Sequence, residues 1–253
     1  MGWRQKINKH RRKLSQKALS KAFNKLSSCV FLAIDPQKHF CDPIYNPRRG
    51  TEKTDALCTE INKAAQEFRR RSLSICWVYS DKFSQGPNGS FGGWHNVSPH
   101  EKDLIAGKHG NSAFEHPFDV HIQGGGPLGA MLAQNNKKHL LVAGFNLAAC
   151  VEDTVKSALA HGYNVFVIED LCGNDAFSAA HHSLLDFKQD MLRYCSRLEK
   201  IADEAQSSKK TPPLNEPPTI PPTPAPYIPS RPFGALHYTT TEAISKALVC
   251  ARR

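Results

Sequence analysis

The first 34 residues of this 253-residue chain contain no Asp or Glu; the first acid is Asp35. No apolar run approaches the roughly 18 residues that a membrane-spanning helix needs, which excludes an obvious helical span. The eight cysteines include no CxxC pair, which argues against a zinc ribbon or a thioredoxin-type site. They are scattered through apolar periodic segments, and no cleavable signal peptide is visible. They therefore read as reduced cytosolic thiols, and a cytoplasmic location is expected. Internal repeats are also missing. The triple glycine Gly124-Gly125-Gly126 lacks both the GxGxxG frame and a preceding apolar strand, which excludes a phosphate cradle there.

What is present is charge of one sign in one place. The chain has 33 Lys and Arg against 23 Asp and Glu, and residues 1–28 hold nine of those cations. The remaining 24 cations nearly balance the acids, so the body is close to neutral and the basicity belongs to the segment 1–28. Ile7, Leu14, Ala18, Ala22 and Leu26 can line one side of a helix within it. Three readings stay open: a solvated basic arm, a surface helix for an anionic membrane or RNA, and an organellar transit peptide. Lys6 stands where a myristoylation signal wants Ser or Thr, so lipidation is not supported. An arm of this kind is expected to be dispensable for the fold.

The central stretch is Lys138 to Gly173. Leu140-Leu141-Val142-Ala143 reads as a strand buried on both faces, ending at Gly144. Val151, Val155, Ala158 and Leu159 then fall on one stripe of a helix, with Gly162 as its C-cap. Val165-Phe166-Val167-Ile168 is the next buried strand, completing a βαβ unit. Cys150 lies between strand and helix, at the carboxyl edge where open α/β sheets bind ligands. A thiol at a helix N-terminus is expected to favour the thiolate, and neighbouring N–H groups could hold an oxyanion. The competing reading is a small buried hydrophobe.

Around this unit, Cys29 to Ile34 is a buried strand stopped by Asp35-Pro36, and residues 54–71 form a helix. Residues 74–79 form a second strand, and a long polar loop, Ser80 to Glu101, carries Phe83, Phe91, Trp94 and His95. A short helix follows at about 128–135. A long one spans 181–206, with Leu184, Leu185, Phe187, Met191, Leu192, Leu198 and Ile201 as its apolar positions. Residues 207–232 hold ten of the 17 prolines and read as an extended or disordered insertion. A last strand at 234–238 and a helix at 242–249, capped by Thr241, close the chain. The alternation predicts a three-layer α/β/α domain over 29–249, with a doubly wound, mainly parallel, Rossmann-like sheet and a 250–253 tail.

Three segments converge on one edge: VFLAIDPQKHF, GKHGNSAF and GFNLAACVEDTVKSALAHGYNVFVIED. Together they resemble the isochorismatase-like cysteine hydrolases, the family of nicotinamidases and N-carbamoylsarcosine amidohydrolases. The resemblance spans roughly 29–206 and resumes at 234–249. It implies Cys150 as nucleophile, Asp35 as the base that takes its proton, and Lys108 as the cation that holds both. It further implies a cis Phe145–Asn146 peptide, with an oxyanion hole from the backbone of Phe145, Asn146 and Cys150. Phe40 would be a wall of the substrate pocket, with Trp94 and Phe114 as further substrate contacts.

Metal-dependent nicotinamidases carry Asp-x-His after the second strand. Here Asp81 matches, but Phe83 replaces the histidine, and His95 and His100 are remote in sequence. No catalytic metal and no cofactor are therefore expected. The expected activity is hydrolysis of a small amide or carbamoyl C–N bond by a homo-oligomer. The alternative is a catalytically silent relative acting as a tethered binding protein.

Overall fold

In the computed structural model, residues 3–42, 44, 52–81, 93–115, 126–173, 184–208 and 234–250 are described. The chain starts with a long helix, α1 (Trp3–Phe23), and a 3-10 turn (Leu26–Ser28), then enters β1 (Cys29–Ile34). A short helical turn, α2 (Lys38–Cys41), and the long α3 (Glu52–Arg70) lead to β2 (Ser74–Ser80) and β3 (Leu104–Lys108). The two-residue β4 (Gly126–Pro127), α4 (Leu128–Gln134) and β5 (His139–Gly144) follow. A π-helical turn (Leu147–Val151) passes into α5 (Glu152–Ala160), then β6 (Asn164–Cys172), α6 (Leu184–Ser208), β7 (Leu236–Thr239) and α7 (Thr241–Cys250).

The strands form one seven-stranded sheet in the order β4-β3-β2-β1-β5-β6-β7. Every adjacent pair is parallel. β1 is fully buried along its length, as are most residues of β2 and β5, the pattern of strands covered on both faces. Ile61, Ala65 and Phe68 of α3, Leu19 and Phe23 of α1, and Ile244 and Leu248 of α7 pack on one face. Leu128 and Leu132 of α4, the α5 stripe, and Phe187, Met191 and Leu198 of α6 pack on the other. This is the expected three-layer domain. All four positions of the predicted α5 stripe are completely buried.

The chain leaves β1 toward β2 on one side and returns to pair β5 on the other. The order therefore reverses between β1 and β5, and the crevice at their carboxyl ends is the topological switch point, where doubly wound sheets bind ligands.

Four features differ from the sequence reading. β3 was given no element in the sequence, because Leu104–Lys108 is short and only its last three residues are buried. The basic segment is not a free arm: Leu19, Ala22 and Phe23 are 1–2% exposed and belong to the core. Ala22 was on the predicted stripe, but Leu19 and Phe23 were not. On α6, Leu185, Leu192 and Ile201 are exposed, so its buried stripe is narrower than predicted. Finally, α7 is capped by Thr240, whose Oγ1 accepts from the Ala243 N–H at 3.3 Å, and Thr241 is already helical. Phe83, Phe91 and nearly all of the proline-rich stretch lie outside the described residues.

Candidate active site

β1 ends at Asp35 in a left-handed turn, φ +56°, a conformation that Asp tolerates better than most residues. The turn is fixed from several directions. The Asp35 N–H donates to the Val78 carbonyl, and the Gln37 N–H donates back to the Asp35 carbonyl at 2.8 Å. The Gln37 side chain, completely buried, accepts from the Ser80 N–H at 2.6 Å and donates to the Ser80 carbonyl at 3.2 Å. It thereby ties the exit of β1 to the exit of β2. The sequence reading gave Gln37 no role, although it stands in the quoted DPQ motif.

Lys108, the last residue of β3, reaches past β2 to Asp35. Its Nζ lies 2.9 Å from Asp35 Oδ2, with both side chains 1% exposed. The same ammonium donates to the carbonyls of Asn111 (2.9 Å) and Gly110 (3.2 Å), so the loop after β3 wraps its own lysine. That loop is fastened along α5: Ala113 N–H donates to Thr154 Oγ1 at 2.9 Å, and Ser112 and Ser157 hydroxyls lie 2.8 Å apart.

β5 ends at Gly144, φ +123°, where a Cβ would stand 2.1 Å from the Ile34 carbonyl oxygen. Only glycine lets the two strands approach this closely at the switch point. The Phe145–Asn146 peptide that follows is cis. The π-helical turn then carries Cys150, which is 7% exposed and close enough for the Asp35 carboxylate and the Lys108 ammonium both to act on its thiol. Single π turns are frequent at functional sites because the extra residue re-aims a side chain. Asp35, Lys108 and Cys150, drawn from the ends of three different strands, thus meet in one buried cluster.

The electrostatics differ from the expected thiolate. Burial, followed by the Asp35 charge, raises the Cys150 thiol from an ordinary 9.0 to about 12, against the lowering effect of Lys108. This amounts to on the order of 4 kcal/mol against the free thiolate. A helix terminus supplies about 0.3–1 kcal/mol and does not overcome it. Burial alone would lower the Lys108 ammonium, but the charges of Asp35 and Cys150 more than compensate and its value is raised. The cluster therefore rests with Lys108 charged and one anion, not two, beside it.

The remaining predicted contacts divide. Phe40 sits in α2, 8% exposed, next to the Asp35 turn. Trp94 pairs by a β-bridge with Gln37 and packs against Trp77 and Tyr79, with ring centroids 6.1 and 6.4 Å away. Phe114 does not approach the thiol. Its ring stacks on His161 at 5.0 Å, at the far end of α5, about 16 Å along the helix direction from Cys150 by helical rise. Its place in the motif hid that its loop runs down α5. Phe145 is also excluded as an oxyanion donor, because its N–H is given to the Ile34 carbonyl at 3.0 Å. Asn146 and Cys150 remain in the turn itself.

Asp81, buried at the end of β2, pairs with His109 at 2.7 Å, one residue beyond Lys108. His95 Nε2 pairs with Asp55 at 2.8 Å. Among the described residues, no group of three or more His, Cys, Asp or Glu is placed to hold a metal ion.

Residues 29–198 match the model of the isochorismatase domain. The chain belongs to the isochorismatase family. It is 34% identical over 77 residues to YddQ, an uncharacterized isochorismatase family protein of Bacillus subtilis (strain 168). That match covers 30% of this chain and 38% of the relative, so the chain spans well under half of that protein. Among solved structures it is similar to a cysteine hydrolase from Pseudomonas syringae pv. phaseolicola 1448A. The TM-score is 0.56 at 17% identity, covering 90% of this chain and 95% of the other. A second isochorismatase family protein aligns with a TM-score of 0.51 at 17% identity, over 65% and 91% of the two chains. These structural likenesses extend the family assignment to the fold, which is that of the isochorismatase family.

Proposed function

We propose that this isochorismatase-family chain is a hydrolase that cleaves a small amide or carbamoyl C–N bond through a thioester on Cys150. The observation that carries the reading is a single buried cation, Lys108, shared by Asp35 and Cys150 at the switch-point crevice. A carboxylate and a thiol on one cation are two proton sites for one negative charge. Moving the thiol proton to Asp35 conserves the net charge, whereas ionising the thiol with Asp35 still charged does not. Asp35 is thus a base that works only as the sulfur bonds to carbon.

In the first half-reaction the Cys150 sulfur attacks the substrate carbonyl and Asp35 takes the thiol proton. The tetrahedral oxyanion is held by backbone N–H groups of the π-helical turn, that of Cys150 first. Collapse expels ammonia or an amine, which leaves with the proton from Asp35. In the second half, water attacks the thioester while Asp35 again accepts a proton. Release of the acid returns that proton to sulfur. Phe40 and Trp94, flanking the Asp35 turn, form the wall against which a small substrate rests.

The test is ammonia release from nicotinamide, carbamoylated amino acids, ureidoacrylate-like compounds and biuret, with intact-mass detection of an acylated Cys150. Turnover of at least one, lost in Cys150→Ala, is expected. Turnover that persists in Cys150→Ala would overturn the thioester on Cys150, and no turnover with no acyl adduct would favour a silent binding protein.

A further inference from the structure

On the opposite edge of the sheet from Cys150, the first residues of β5, β6 and β7 face α1 across an open cleft of about 250 Å³. Its floor is unusual for that face. His139 opens β5, Phe166 is the third residue of β6, and His237 pairs with Phe166 in β7. His237 stacks on Phe166 with centroids 4.8 Å apart and an interplanar angle of 23°. The roof is α1, which contributes Ala18 and Ala22 one turn apart and the exposed Lys21 at the rim. Two small residues in succession are what leave the space, because Leu19 and Phe23 on the flanking positions are fully packed. The roof and His237 both lie outside the residues that match the family model.

The polar groups in the cleft have a defined polarity. Asn164 accepts the Ala235 N–H on its amide oxygen at 3.1 Å, so its amide nitrogen is the end facing His139 Nδ1, at 3.2 Å. The proton of His139 is therefore on Nε2, a donor. Burial, then Lys138 and His237, hold His139 below its ordinary 6.5, and burial does the same for His237. Both rings are then neutral donors and aromatic surfaces at neutral pH. Among the described residues, no acidic side chain lines the cleft, while Lys21 stands at its rim and Lys138 beside His139.

We propose that the cleft between α1 and the amino edge of β5–β7 is a binding site for a small organic carboxylate. The carboxylate would meet Lys21 and the His139 Nε2–H, and its apolar body would lie against Ala18, Ala22 and Phe166. The site is separate from the proposed reaction centre and does not depend on the reading of that centre.

The test is a histidine-imidazole NMR titration of the full chain with benzoate, run beside inorganic phosphate as an anion without an apolar body. Saturable movement of the His139 and His237 resonances is expected at up to about 10 mM benzoate, the range that measures a Kd near 1 mM. The same movement is expected in Cys150→Ser, which separates this cleft from the sulfur. Lys21→Glu, at an exposed position, should weaken benzoate about tenfold, the scale for reversing one charge beside an anion in solvent-like surroundings. Ala18→Leu, which fills the cleft, should abolish the movement. Unmoved imidazoles, equal movement with phosphate, or unchanged affinity in Lys21→Glu would overturn the proposal.

Discussion

At the scale of single residues, the thiol and the carboxylate share one cation, and this gives a test whose sign is opposite to that of a pre-formed thiolate. Cys150 is raised to about 12 by burial and then by the Asp35 charge, so alkylation by iodoacetamide should be slow at pH 8 and accelerate steadily into the alkaline range. Asp35→Asn removes a cause that raises the thiol and leaves Lys108, which lowers it. Alkylation of that variant should be faster at neutral pH while turnover is lost. An Asp35→Asn enzyme that alkylates more slowly than the wild type would contradict the shared-cation account. Lys108→Ala strands a carboxylate that is 1% exposed, a loss of about 3–5 kcal/mol when one member of a buried pair is removed. Urea unfolding should show that loss, and Lys108→Met combined with Asp35→Asn should recover part of it.

At the scale of elements, the geometry depends on how closely β5 passes β1. Gly144 pairs with Ile34, and its φ of +123° leaves no room for a side chain. Gly144→Ala should cost upward of about 2 kcal/mol, since both the backbone conformation and the 2.1 Å clash oppose it. Differential scanning calorimetry should show a lowered Tm, and Cys150 should lose its position relative to Asp35 together with it. A variant with wild-type Tm and wild-type alkylation kinetics would mean that the switch point tolerates separation of the strands. The loop after β3 is the second dependency. It wraps Lys108 with its own carbonyls and hangs along α5, so it positions the lysine and carries Phe114 away from the thiol.

At the scale of the whole molecule, α1 is both a basic helix and a piece of the core. Leu19 and Phe23 are each buried against the sheet, and full burial of such a side chain contributes about 1.5–3 kcal/mol. Removing residues 1–26 should therefore destabilise the domain by several kcal/mol, on the order of 3–6 from these two side chains alone. Guanidinium unfolding of the truncated chain gives the number, and an unchanged midpoint would show that the helix is dispensable after all. Attraction of the cationic first turns to anionic vesicles or RNA stays a proposal, read as a salt-dependent affinity. Among the described residues, no helix is long and apolar enough to cross a membrane.

The sequence by itself determined the layering and the cluster. Buried parallel strands read as continuous apolar runs, and helices as stripes of period 3.6, so β1, β2, β5, β6 and α5 were legible from local pattern alone. Asp35, Lys108 and Cys150 were legible because three short motifs name them by type and order. Tertiary structure decided what local pattern does not encode. β3 is a strand because it pairs in parallel with β2 along its whole length, and its five residues carry too weak a period to show it. Leu19 and Phe23 are core because α7 and β7 stand opposite them, which no spacing within α1 reveals. The ionisation of Cys150 was decided last of all. A helix terminus can be read from sequence, but the burial and the neighbouring carboxylate that outweigh it exist only once three strand ends have been brought together.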